Sequence, residues 1–170
     1  GVQTCALPIF FARAHRPHRL FINFSPNSVY DPSYCLRTTI SRIREVGLTP
    51  EQIVFEVVES EQHANLNHLR GILNFYHSEG FGIALDDVGA GYNGLTVLDY
   101  LQPDYVKLDM TLIRDIDSTA TKSLLVRNLI DACHKLGIRT IAEGVETAAE
   151  LGWVQQNGVT YVQGYHLAKP

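Results

Sequence analysis

The stretch ALDDVGAGYNGL, from Ala84 to Leu95, ends an apolar run in two adjacent carboxylates, Asp86 and Asp87, and follows them with a glycine-rich loop. Two buried carboxylates this close do not both stay ionised without a cation nearby. Hard divalent cations take oxygen ligands, so a metal is the expected partner. The design recurs along the chain. Asn23 lies in FINF, Glu56 and Glu59 lie in FEVVES, and Lys107 and Asp109 lie in YVKLD. Glu143 and Glu146 follow in IAEGVE, and Gln163 in YVQG. No serine–base pair and no P-loop accompany them, so neither serine nucleophile chemistry nor P-loop nucleotide hydrolysis is indicated. A set of carboxylates, one amide and one lysine suits one or two Mg²⁺ or Mn²⁺ ions activating water against a phosphodiester. Lys107 would orient the attacking water or stabilise charge on the phosphoryl group. The surrounding carboxylates keep it protonated, which disfavours a Schiff base.

Each residue also has a plainer use. Asn23 would cap a turn, Glu56 pair with an arginine, and Lys107 snorkel to the surface. Glu143 and Glu146 would cap the next helix, and Gln163 would hold a loop. What favours chemistry is that all six strand ends carry such a residue. The histidines show no metal-ligand spacing and read as surface or packing residues. Tyr100, Tyr105, Trp153 and Phe75 read as core.

The elements that must position these groups alternate. β-rich runs are expected at 20–24, 53–57, 82–86, 105–108, 139–142 and 160–162. Helical spacing covers 66–78, with Leu66, Leu69, Leu73 and Tyr76 on one face, and 123–136, with Leu124, Leu125, Leu129, Ala132 and Leu136 on one face. Gly47, Gly80 and Gly137 fall just past helix ends. Strand–helix–strand repetition implies parallel strands with helical crossovers. The expected fold class is α/β, a (β/α) barrel of the TIM-barrel kind. It is incomplete, because six strands fall short of eight and a whole barrel typically runs to about 250 residues. An open doubly wound sheet is the alternative, but it gathers its chemistry at one switch point.

The 170 residues fit one domain or part of one. A formal charge of −4 argues against general binding to DNA, RNA or anionic membranes. Cys5, Cys35 and Cys133 are too few and too scattered for a disulfide framework or a zinc site, which points to a reducing, cytoplasmic setting. Residues 1–9, GVQTCALPI, resemble translated sequencing-adapter read-through. They are expected to be non-native, leaving 10–170 as a partial domain.

Together these motifs resemble the EAL family, bacterial phosphodiesterases acting on cyclic di-GMP, from about His18 to Pro170. FINFSP, FEVVES, LDDVGAGYNGL, PDYVKLD, IAEGVET and VQGYHLAKP stand in the family's order and spacing. The resemblance implies that Asn23, Glu56 and Asp86 hold a first metal. Asp86 and Asp87 would share a second, with Asp109 and Glu143 close by. Lys107 would contact the catalytic water, with Glu143 beside it in the catalytic set. Glu59 would anchor the loop after Asp87, which the family ties to metal binding and dimerisation. Gln163 and Glu146 would support the substrate end, and the product would be linear pGpG. The implied partners are cyclic di-GMP, a second copy in a homodimer, and a fused GGDEF or sensor domain, and a missing N-terminal region could anchor the parent to a membrane. Three features depart from the family. The Glu-x-Leu-x-Arg strand that names it, with a metal ligand and a substrate-binding arginine, is absent. Val88, Asn93 and Gly94 replace Phe-Ser-Ser in the loop, and Val58 stands where Thr is common. Impaired activity of this chain alone is therefore expected, and a non-catalytic cyclic di-GMP sensor or interaction domain is the alternative function.

Overall fold

A computed structural model describes residues 19–25, 29, 32–58, 66–90 and 94–168. The chain divides after Ala84 into two compact units. The first nine residues, Glu59 and the loop 91–93 lie outside the described residues.

In the first unit, β1 (Leu20–Asn23) pairs parallel with β2 (Ile53–Val58), placing Asn23 level with Glu56. Helix α1 (Pro32–Glu45) connects them and packs on α2 (Leu66–Ser78). Ile53 through Val57 are all buried, as expected for a parallel strand covered on both faces. Leu69, Leu73 and Tyr76 of α2 are buried, so the predicted face of that helix is the packed one. Phe24, Phe55, Tyr76 and Phe81 form a ring cluster with centroids 5.1–6.3 Å apart. Strand β3 (Gly82–Val88) starts beside β2, with Gly82 against Val54, and runs on into the second unit.

The second unit continues β3–β4–β5–β6 in sequential order. Strands β4 (Tyr105–Leu108), β5 (Arg139–Ala142) and β6 (Tyr161–Val162) pair parallel. Helix α3 (Gly94–Leu101) precedes β4, and the one-turn α4 (Met110–Ile113) and α5 (Ala120–Lys135) follow it. Helix α6 (Ala148–Gln156) links β5 to β6, and Trp153 Nε1 donates to Ser123 Oγ of α5 at 2.9 Å.

Helix α5 corrects the sequence reading. Leu124, Leu125 and Leu136 are 59%, 64% and 65% exposed, while Val126, Ile130 and Cys133 are buried. The helix is apolar over a wide arc, and the residues at i, i+4 and i+7 from Val126 take the core. Tyr105 and Trp153 are buried as expected, whereas Phe75 and Tyr100 are half-buried. Burial pushes the Cys133 thiol up to about 11, so it stays protonated and unreactive at neutral pH. Among the described residues, no helix is long and apolar enough to cross a membrane.

Candidate active site and metal centre

The second unit brings four of the predicted residues together. Asp86 is on β3 and Lys107 is on β4, and both are buried. Glu143 follows β5 directly, and its N–H donates to Leu108 O of β4 at 3.1 Å. That bond carries the β4–β5 ladder one residue past the strand and fixes where Glu143 stands. Lys107 Nζ lies 2.9 Å from Asp86 Oδ1 and 2.9 Å from Glu143 Oε1. The Lys107 side chain thus bridges the two carboxylates.

Asp86, Asp87 and Glu143 each offer a carboxylate oxygen within 4.8 Å of the other two. Two oxygens bound to one divalent ion at about 2.0–2.6 Å are separated by no more than roughly twice that distance. A 4.8 Å spread lies within that span for Ca²⁺, whose oxygens stand at about 2.3–2.6 Å, and a shorter-bonded Mg²⁺ or Mn²⁺ would draw the three oxygens closer together. All three are hard ligands, which fits such ions better than Zn²⁺ or Cu²⁺.

The backbone at the end of β3 is bent to deliver these groups. Asp87 has φ 57°, a left-handed conformation that Asp tolerates better than most side chains. Its N–H donates to Asp86 Oδ1 at 2.9 Å. Gly89 follows at φ 108°, where a Cβ would strike the Leu112 side chain. After β5, Gly144 has φ 65° and lies against Met110, so a side chain there would push the Glu143 loop off α4. Strain of this kind collects at functional sites and is held in place by the surrounding packing.

The remaining predicted residues are placed differently. In the first unit Asn23, the last residue of β1, stands in register with Glu56, two residues before the end of β2. Asp109 stands outside the three-carboxylate group. Its Oδ1 caps α4, accepting from Thr111 N at 2.8 Å and Thr111 Oγ1 at 2.5 Å. Glu146 pairs with Arg114 at 2.8 Å. Gln163 is tied through its backbone, its N–H donating to Ala142 O and its carbonyl accepting from Val145 N. Glu59 lies outside the described residues.

Sequence reading missed Arg114 and Glu150. Glu150 is 1% exposed and accepts from the N–H groups of Asp115, Glu146 and Thr147. Burial disfavours its charge, but those three donors and the nearby Arg114 outweigh burial and hold the carboxyl below its ordinary value. The signal for it was present. Thr147-Ala-Ala-Glu150 has capping-box spacing, and Thr147 Oγ1 accepts from Glu150 N at the start of α6.

Known proteins resemble this chain along nearly its whole length. The EAL domain family model matches residues 5–170. The probable cyclic di-GMP phosphodiesterase PdeG of Escherichia coli K12 is 37% identical over 154 residues, 88% of this chain and 29% of that protein. The chain thus spans less than a third of that curated relative's length. Among solved structures, a standalone EAL protein from Vibrio cholerae O395, in its c-di-GMP-bound form, matches with a TM-score of 0.90 and 38% identity. That match covers 98% of this chain and 70% of the other. Klebsiella pneumoniae BlrP1, as a manganese/cy-diGMP complex, matches with a TM-score of 0.88 and 35% identity, over 95% of this chain and 41% of the other. The fold is the incomplete (β/α) barrel that the strand rhythm predicts.

Proposed function

The chain belongs to the EAL domain family, and from that membership we propose that it is a metal-dependent phosphodiesterase that opens cyclic di-GMP to linear pGpG. One observation supports this above the rest: three carboxylates converge within 4.8 Å, with Lys107 bridging Asp86 and Glu143. Simple recognition of a dinucleotide does not call for that much concentrated negative charge.

Asp86 and Asp87 are the proposed metal ligands in the second unit. Asn23 and Glu56 are proposed as ligands on the strength of the family pattern. Asp109 shares that role only through the oxygen that Thr111 does not engage. One or two Mg²⁺ or Mn²⁺ ions at these ligands would lower the pKa of a water and offset phosphate charge. Glu143 would take the proton of the attacking water. Lys107, released from one carboxylate, would donate to that water or to a phosphoryl oxygen and fix its direction. The water oxygen forms a new P–O bond as the bond to one ribose oxygen breaks, and the leaving oxygen takes up a proton. Gln163 and Glu146 would meet the rest of the substrate, and Glu59 would brace the loop after Asp87. A homodimer and a fused GGDEF or sensor domain belong to the same reading.

The test is turnover of cyclic di-GMP with Mn²⁺ by the protein that carries this domain, with products separated chromatographically. A linear dinucleotide from the wild type, formed at least about 100-fold more slowly by Lys107→Ala or Asp86→Asn, is expected. A wild type that binds cyclic di-GMP and leaves it intact would establish the sensor reading instead.

A further inference from the structure

Glu150 exceeds what a helix cap requires. A capping-box glutamate needs one oxygen for the backbone at the helix start. Here Oε2 does that, accepting from Glu146 N at 2.9 Å and Thr147 N at 3.0 Å. The other oxygen, Oε1, reaches 35 residues back along the chain and accepts from Asp115 N at 3.2 Å. Asp115 has φ 55°, so the turn it makes is one the chain does not hold cheaply by itself. Arg114 closes the same link, with Nη1 2.8 Å from Glu146 Oε2 and 3.7 Å from Glu150 Oε1. Lys122 secures the turn from the far side, donating to the carbonyls of Thr111 and Arg114 at 2.9 and 2.6 Å.

The two segments joined in this way are those that follow Lys107 and Glu143. We infer that Glu150, together with Arg114, is a positioning pair for the reaction: it locks the 109–115 segment after β4 to the 143–147 segment after β5, so that Lys107 and Glu143 keep their spacing. The inference rests on the phosphodiesterase reading above. Hydrolysis depends on a proton acceptor and an ammonium group set around one water, and a misplacement of about 1 Å can cost on the order of 100-fold in rate.

A glutamine separates this role from capping. Its single carbonyl serves the two N–H groups of Glu146 and Thr147 and turns its NH₂ towards the Asp115 N–H, donor against donor. Glu150→Gln therefore keeps the cap and cuts the bridge, whereas Thr147→Ala weakens the cap and keeps the bridge. In the protein carrying this domain, Glu150→Gln is expected to lower kcat by about tenfold or more, with KM within about threefold. Thr147→Ala is expected to keep kcat within about twofold. Amide exchange at Asp115 should speed up only in Glu150→Gln. Wild-type kcat or unchanged Asp115 exchange in Glu150→Gln overturns the inference, as does an equal kcat loss in Thr147→Ala. If Glu150→Gln fails to fold, Arg114→Ala takes its place, on a side chain about a third exposed. Loosening the link between the two segments should then lower kcat by about threefold or more, and a wild-type kcat overturns the pair. A wild type without turnover refutes the phosphodiesterase reading, which is a different result from a working wild type indifferent to Glu150.

Discussion

Two acidic clusters lie in the second unit, and they are built in opposite ways. Around Glu150 and Glu146, the negative charge meets Arg114 and three backbone N–H donors, and the backbone closes a regular capping box. Around Asp86, Asp87 and Glu143, carboxylate faces carboxylate, with Lys107 between two of them and a left-handed aspartate at the bend. The first cluster consists of donors already matched to acceptors, and it holds the chain in shape. The second gathers oxygen ligands at the cost of repulsion and backbone strain, which a bound cation would relieve. Proteins tolerate such local conflict where function requires it.

Substitutions in the two clusters should therefore fail in different ways. The largest effect is expected from Lys107→Ala, which should lower kcat by on the order of 10²–10⁴. Its urea midpoint with Mn²⁺ present should stay close to that of wild type. Next, Glu150→Ala strands three N–H donors in a buried place and should cost about 2–3 kcal/mol of stability by urea unfolding. A loss below about 0.5 kcal/mol would remove the contrast between the clusters. Asp87→Asn should act in the opposite direction. Asparagine accepts the left-handed conformation and removes a like charge, so stability in chelator should rise by about 0.5–1 kcal/mol. Mn²⁺ affinity, measured by calorimetry, should fall at least about tenfold in the same variant. The smallest effect concerns pH. The folded-state pKa of Glu150 lies below its ordinary value of 4.5. Its stabilising contribution is therefore complete above that value and is lost as pH falls through the folded-state pKa. Acid unfolding of Glu150→Gln should show a shallower loss in that window than the wild type.

Much of this architecture was legible in the sequence because parallel strands write themselves plainly. Tyr105–Leu108 and Arg139–Ala142 match their predicted bounds, as does the helix Leu66–Ser78. Gly47, Gly80 and Gly137 take positive φ at the helix ends where they were expected. Residues that end strands in a parallel sheet come out at one edge, which is why Asp86, Lys107 and Glu143 converge as their positions suggested. The packed face of α5 was not legible. Apolar residues occupy most of its circumference, and only the tertiary contacts select Val126, Ile130 and Cys133 over Leu124 and Leu125. Asp109 and Glu146 also show the limit. A carboxylate near a strand end looks the same in sequence whether it faces a metal, a helix N-terminus or an arginine. The partners Thr111 and Arg114 are what separate these cases.

The most direct test of the central claim is the anomalous scattering of Mn²⁺ in crystals of this domain. The account predicts a peak within ligand distance of the carboxylates of Asp86 and Asp87, beside Glu143 and lost in Asp87→Asn. Crystals grown in Mn²⁺ that show no peak there, or only a peak remote from these three residues, would contradict it.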